Sequence, residues 1–86
     1  MSTFKLTIAS PDENKFSDEA QMLTVRGIEG DLAIMAGHVP FITALQPCDC
    51  KIVLPDGTEK IGAVDGGLLT VSEKGATLLS GSFQWK

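Results

Sequence analysis

His38 is the only histidine in the chain and could serve as a general base, the usual role of histidine in catalysis. It stands in a Gly-His-x-Pro sequence that ends at Pro40. No serine has the sequence context of a nucleophile elbow, and a predicted strand break separates His38 from Cys48 and Cys50. The residues therefore predict no catalytic site, and we interpret His38 as a turn residue whose ring bonds a nearby backbone group.

Cys48 and Cys50 form a Cys-x-Cys sequence on a predicted strand. Residues two apart on a strand point the same way, about 6.5–7 Å from each other. That separation is at or beyond the upper limit for an undistorted disulfide. A zinc site needs three or four protein ligands, and His38 is the only further nitrogen ligand. We expect two small reduced hydrophobic residues, no metal site and no cofactor.

Glu29 and Asp31 flank Gly30 at a predicted loop tip. Most surface carboxylates are simply solvated, and these two are explained equally well as turn residues. The alternative is a docking patch, since charges at the rim of an interface steer the encounter and fix its register. The sequence alone leaves both interpretations open.

Length and charge limit the possible functions. The chain has 86 residues, which predicts one domain over residues 1–86, and a net charge of -4 with a pI near 4.7. Its lysines are scattered, which disfavours binding to nucleic acid or to anionic lipid. No signal peptide and no apolar run long enough to span a membrane is visible. We therefore expect a cytoplasmic protein without direct membrane insertion.

Apolar and polar residues alternate with a period of two along much of the chain, for example in residues 4–9, 48–54 and 59–64. This pattern is typical of half-buried strands. Turn residues recur about every eight to twelve positions, and no window has the spacing of an amphipathic helix. The sequence thus predicts an all-β sandwich or barrel of roughly eight to ten short strands, mostly antiparallel.

Three segments are predicted to interrupt these strands. Residues 46–47, Gln-Pro, should break one strand. Residues 65–67, Asp-Gly-Gly, should form a turn or bulge, because no Lys-Ser/Thr follows as in a phosphate-binding loop. Residues 54–58 should form a hairpin turn in which Gly57 takes the left-handed conformation.

These motifs resemble the ε subunit of bacterial rotary F-type ATP synthases, which corresponds to the mitochondrial δ subunit. The resemblance covers nearly the whole chain. Its most specific parts are three motifs at the family's spacing, namely Glu29-Gly30-Asp31-Leu32, Gly37-His38-Val39-Pro40 and Gly66-Gly67-Leu68-Leu69.

The resemblance implies a flattened antiparallel β-sandwich of about ten strands. It also implies a non-catalytic subunit of the central rotor stalk, which binds the γ subunit, rests on the c-ring and couples proton or sodium flow to ATP synthesis. Such a subunit is peripheral at the inner face of the cell membrane. Carried over residue by residue, the c-ring side would include Glu29, Gly30, Asp31 and His38.

The chain departs from the family pattern at three places. Ala36 stands where proline is common, and Cys48 stands where glycine is common, which predicts an altered turn after Pro47. The family usually continues into a C-terminal helical hairpin, which the sequence is not expected to contain, so no ATP binding is expected. The alternative function is a stand-alone β-sandwich module for a small ligand or a protein, but the internal positions are aliphatic and predict no polar pocket.

Overall fold

The structure, a computed structural model, describes residues 2–37 and 39–86. These residues form β-strands and contain no helix, hence none that could cross a membrane. The strands are β1 (Phe4–Ala9), β2 (Asn14–Ala20), β3 (Met22–Gly27), β4 (Gly30–Met35), β5 (Phe41–Val53), β6 (Glu59–Ser72), β7 (Gly75–Leu79) and β8 (Phe83–Trp85). The all-β prediction is confirmed.

The strands follow the order β2-β1-β7-β6-β5-β3-β4, and β8 pairs with the first part of β6. Neighbouring strands are antiparallel except for β1 and β7, which run parallel. A parallel pair needs a long connection rather than a hairpin. The chain between β1 and β7 holds five other strands and supplies that length, so the largely antiparallel prediction holds with this one exception.

The predicted break at residues 46–47 and the predicted turn at residues 65–67 are wrong, and the described residues therefore form eight strands rather than ten. β5 and β6 continue through these positions, with Pro47 opposite Asp65 and Cys48 opposite Val64. Proline cannot donate to a ladder. Pro47 is tolerated because β3 is not paired to β5 there, the β3–β5 ladder being interrupted between Thr24 and Gly27. Because β5 continues through Pro47 and Cys48, there is no turn after Pro47, and the altered turn expected there is absent.

β6 changes its inward-facing side in the middle of its length. Before the change Val64 is buried, and after it Leu69 and Val71 are buried, so the buried positions pass from even to odd numbers. The change coincides with Gly66 and Gly67, which have φ values of 83° and 151°. A side chain at either position would be strained, and these glycines therefore form a kink within the strand.

The core is one hydrophobic cluster between two layers. One layer contributes side chains of β1, β2, β7, the first half of β5 and the second half of β6, and the other contributes side chains of β3, β4, β8, the second half of β5 and the first half of β6. The largest fully buried side chains are Leu6, Ile8, Leu23, Ile34, Ile52, Leu69 and Leu78. Because β5 and β6 belong to both layers, the single sheet folds over on itself as a flattened sandwich.

The β5–β6 hairpin turn has the predicted conformation. Gly57 has a φ of 90° and donates its amide hydrogen to the Leu54 carbonyl at 2.9 Å. The Leu54 amide donates to the Thr58 carbonyl at 2.8 Å, which closes the loop.

Candidate functional site

The predicted docking residues lie at the end of the β3–β4 hairpin, which we call the tip (residues 27–31). Gly27 pairs with Gly30, and only Ile28 and Glu29 connect the two strands. Ile28 is 62% exposed, and Glu29 is also exposed. Gly30 has a φ of 131°, and nothing lies within 4 Å of where its Cβ would be. The tip is therefore open to a partner.

Asp31 has a partner inside the chain that sequence reasoning missed. It lies directly opposite Arg26, and the Arg26 Nε donates to the Asp31 Oδ1 at 2.9 Å. The hydrogen bond and the charge of Asp31 raise the pKa of Arg26. Opposite charges that face each other across a hairpin commonly pair. Once the two-residue turn is known, the sequence positions of Arg26 and Asp31 are therefore enough to predict that they face each other.

Glu29 differs from Asp31 in having no ion pair or hydrogen bond among the residues that the structure describes. It borders a shallow groove of about 200 Å³ that also includes Gly30, Leu32, Phe41 and Ile42. The tip therefore presents a carboxylate that has no partner among the described residues, and it lies beside this groove, which we call the tip groove.

His38, the remaining residue predicted for the c-ring side, lies outside the described residues. On one side of it Gly37 has a φ of 83°, as expected of a glycine at a sharp corner. On the other side Val39 is 70% exposed. The structure thus brings Glu29, Gly30 and Asp31 together at the tip.

A second surface was not recognised in the sequence. The outward side chains of β5, β6, β7 and β1 line up in two rows across the strands. One row is Ala44, Leu68, Leu79 and Ala9, and the other is Ile42, Thr70, Thr77 and Thr7. We call these two rows the neutral platform, because they contain no charged residue in a chain in which charged residues make up 21%.

Large apolar side chains are exposed on the neutral platform. Ile42 is 67% exposed, Leu79 is 48% exposed and Leu68 is 41% exposed. A contiguous apolar patch of this kind commonly marks an interaction surface. The platform reaches the tip at Ile42, which also lines the tip groove.

The other layer carries charged side chains that pair with one another. The Lys86 Nζ lies 2.9 Å from the Asp49 Oδ1, and the Lys51 Nζ lies 3.3 Å from the Glu59 Oε2. Because these charged groups pair with one another at an exposed surface, this layer needs no further protein to cover it. These two ion pairs lie away from the neutral platform.

The cysteines are both free, with Cys48 half-buried and Cys50 buried. Burial raises the pKa of the Cys50 thiol to about 12, and the neighbouring Cys48 adds to the shift. A thiol with so high a pKa is a poor nucleophile, since the thiolate is the reactive form. Within residues 2–37 and 39–86 no three His, Cys, Asp or Glu side chains are grouped to hold a metal ion.

Residues 3–86 match the protein family described as ATP synthase, Delta/Epsilon chain, beta-sandwich domain. The chain is 40% identical over 80 residues to the ATP synthase epsilon chain of Psychrobacter sp. (strain PRwf-1) and 41% identical over 80 residues to that of Bradyrhizobium sp. (strain ORS 278). Each alignment covers 93% of this chain and 58% of the relative. The chain thus spans less than two thirds of the length of these curated relatives.

Two solved structures have the same fold. A chain of the Euglena gracilis mitochondrial ATP synthase OSCP/F1/c-ring assembly superposes with a TM-score of 0.92 at 20% identity, covering 99% of this chain and 54% of that one. A chain of the central stalk/c-ring of the Tetrahymena thermophila mitochondrial ATP synthase superposes with a TM-score of 0.80 at 15% identity, covering 95% of this chain and 66% of that one.

Proposed function

Because this chain belongs to the family of ATP synthase delta/epsilon chains through its β-sandwich domain, we propose that it is a non-catalytic subunit of the central rotor stalk of an F-type ATP synthase. In this role it binds the γ subunit and the c-ring, and it couples ion translocation to ATP synthesis by turning with them. Residues 1–86 act as one domain, built on the shared core of the two layers.

The observation that carries the proposal is the presence of two chemically different surfaces on one sandwich. A rotor subunit must hold two partners at once. The neutral platform offers uncharged area whose burial stabilises a lasting interface. The tip offers the exposed carboxylate of Glu29, which suits an encounter fixed in register by charge.

We assign the neutral platform to the γ subunit and the tip to the loops of the c-ring. The two surfaces adjoin at Ile42, which is what simultaneous contact with neighbouring partners requires. The c-ring assignment keeps Glu29, Gly30, Asp31 and His38 as the proposed contact residues, with Glu29 as the carboxylate available to the partner.

The subunit would lie on the cytoplasmic side of the membrane and be held there peripherally. A net charge of -4 gives no attraction to anionic lipid headgroups. Attachment through the c-ring, rather than through lipid, is therefore the mode that we propose.

The test is to reconstitute the chain with its cognate γ subunit and c-ring and to measure assembly and ion-driven ATP synthesis. We expect Ile42→Asp to weaken γ binding, because it places a charge on the neutral platform where the partner would bury it. The matched control is Gln84→Asp, which adds the same charge at an exposed position of β8 on the other layer. Failure of the unaltered chain to bind γ or the c-ring would contradict the proposal.

A further inference from the structure

A groove of about 480 Å³ opens where the neutral platform ends, between the end of β1, the kink in β6 and the end of β7. We call it the corner groove. Its apolar walls are formed by Ala9, Pro11, Leu68 and Leu79, and glycines at positions 67 and 81 leave it open. No charged residue lines it.

The corner groove is held open by backbone contacts that Ser80 organises. Ser80 is buried, and its hydroxyl lies 2.7 Å from the Gly66 carbonyl oxygen and 2.8 Å from the Ser82 carbonyl oxygen. Its amide donates to the Ala9 carbonyl at 3.1 Å. Ser80 therefore ties the end of β7 to β1, to the kink of β6 and to the approach to β8, so the groove is preformed.

The chemistry of the walls determines what could occupy the corner groove. The Ser80 hydroxyl already has two acceptors within the chain, and the exposed wall atoms of Leu68 and Leu79 are apolar. A charged group placed there would lose water without gaining a partner, which is costly. An aliphatic or aromatic side chain would instead bury apolar surface on both sides.

We propose that the corner groove receives one uncharged, aliphatic or aromatic side chain of the γ subunit and is the energetic anchor of that interface. The inference rests on the proposed function, because the groove is continuous with the neutral platform through Leu68 and Leu79. Interfaces commonly draw most of their binding energy from a few apolar anchors in preformed pockets, while the surrounding contacts exclude water. The groove supplies such a pocket at one end of the neutral platform.

Gly81 allows the groove to be filled without disturbing the fold. A Cβ at Gly81 would meet nothing within 4 Å, and its φ is not in the left-handed region. Gly67, which lines the same groove, offers no such site, because a Cβ there would meet the carbonyl oxygen of Leu79. Gly81→Leu is therefore the variant of choice, with Gly81→Ala as the small control and Gln84→Leu as the control for added apolar surface.

The experiment measures binding of the full chain to the purified cognate γ subunit by biolayer interferometry, with thermal melting of each variant in parallel. We expect Gly81→Leu to weaken γ binding by at least about tenfold, the loss typical of a blocked anchor. Gly81→Ala and Gln84→Leu should change it by less than about threefold. Binding to the c-ring should be unaffected by all three.

A second variant guards against misfolding of the first. Leu79→Thr places a residue that favours strands on β7 but removes most of an apolar wall of the groove, and we expect γ binding to fall about tenfold. If a folded Gly81→Leu variant binds γ as tightly as the unaltered chain, the corner-groove proposal is overturned while the rotor function stands. If the unaltered chain itself does not bind γ, the proposed function and this inference both fail.

Discussion

Arg26 and Asp31 face each other across the β3–β4 hairpin, with the guanidinium Nε 2.9 Å from the carboxylate Oδ1. This pairing gives the two acids of the tip different roles. Asp31 is neutralised by a neighbour on the adjacent strand, whereas Glu29 has no such neighbour among the described residues. A positively charged partner that approaches the tip is therefore attracted mainly to the Glu29 carboxylate.

Charge reversal at Glu29 should weaken docking on the c-ring. Glu29→Lys places a cation where the proposed partner meets an exposed carboxylate, and such wrong-sign rim charges slow association and disturb register. We expect slower association with the isolated c-ring, most clearly at low salt, and an unchanged melting temperature. Asp12→Lys, at an exposed position of the turn between β1 and β2, is the control. Equal association rates for Glu29→Lys and the unaltered chain would show that Glu29 is only a solvated turn residue.

Asp31→Lys should weaken docking on the c-ring chiefly by breaking the pair with Arg26 that holds the two strands of the tip together. The substitution places two cations opposite each other on paired strands, which is unfavourable. The melting temperature should fall by no more than about 3 °C, because exposed ion pairs contribute little to stability. The double variant Arg26→Glu, Asp31→Lys restores a local pair and should recover most of the lost c-ring docking. If docking stays lost in the folded double variant, the carboxylate of Asp31 itself contacts the c-ring.

Gly67 and Gly57 should differ in their tolerance of alanine although both have positive φ. Gly57→Ala meets nothing within 4 Å, so it carries only backbone strain, about 1–2 kcal/mol. Gly67→Ala adds a collision with the Leu79 carbonyl to its strain and should cost roughly 3 kcal/mol or more. Urea unfolding of the two variants measures the difference. Equal losses would mean that the kink of β6 relaxes around the added methyl group.

Stability should fall with rising pH in the range where the unfolded chain ionises Cys50. The ordinary pKa of the thiol is 9.0, and burial raises it to about 12 in the folded chain. The contribution of the buried Cys50 thiol to the free energy of unfolding is thus complete below pH 9 and is lost as pH rises from 9 to 12. Between pH 8 and pH 10 the free energy of unfolding should fall by roughly 1.4 kcal/mol more in the unaltered chain than in Cys50→Val. Parallel profiles would show that the thiol ionises equally in both states.

Lys60 should stabilise the open edge of the sandwich between β2 and β8. Its Nζ lies 4.3 Å from the ring centroid of Trp85, and the Phe16 ring meets Trp85 edge-on at 6.2 Å. Lys60→Gln should cost about 0.5–1 kcal/mol and alter the emission of Trp85, the only tryptophan. Lys51→Gln, which removes a lysine from an exposed ion pair, should leave the emission unchanged. An unaltered spectrum for Lys60→Gln would exclude the contact in solution.

The sequence by itself determined the local structure of most of the chain. Alternation of apolar and polar residues specified strands such as Phe4–Ala9, because the side chains of a strand project to alternate faces. Proline and glycine specified the turn that contains Gly57, since both act on the dihedral angles of their own positions. The acids of the tip were also found from the sequence, because their turn is closed by neighbouring residues.

Only the tertiary structure decided where strands continue and which surfaces they form. Pro47 and Gly67 are residue types that commonly end strands, yet both lie inside long strands. Pro47 is accommodated where the β3–β5 ladder is interrupted, and Gly67 is required where the Leu79 carbonyl approaches closely. The neutral platform likewise has no local signature. Its rows join Ala9 to Leu79 through the parallel β1–β7 pair. Pairing between strands distant in the chain depends on how the whole core packs, and periodicity within one strand carries no information about its neighbour.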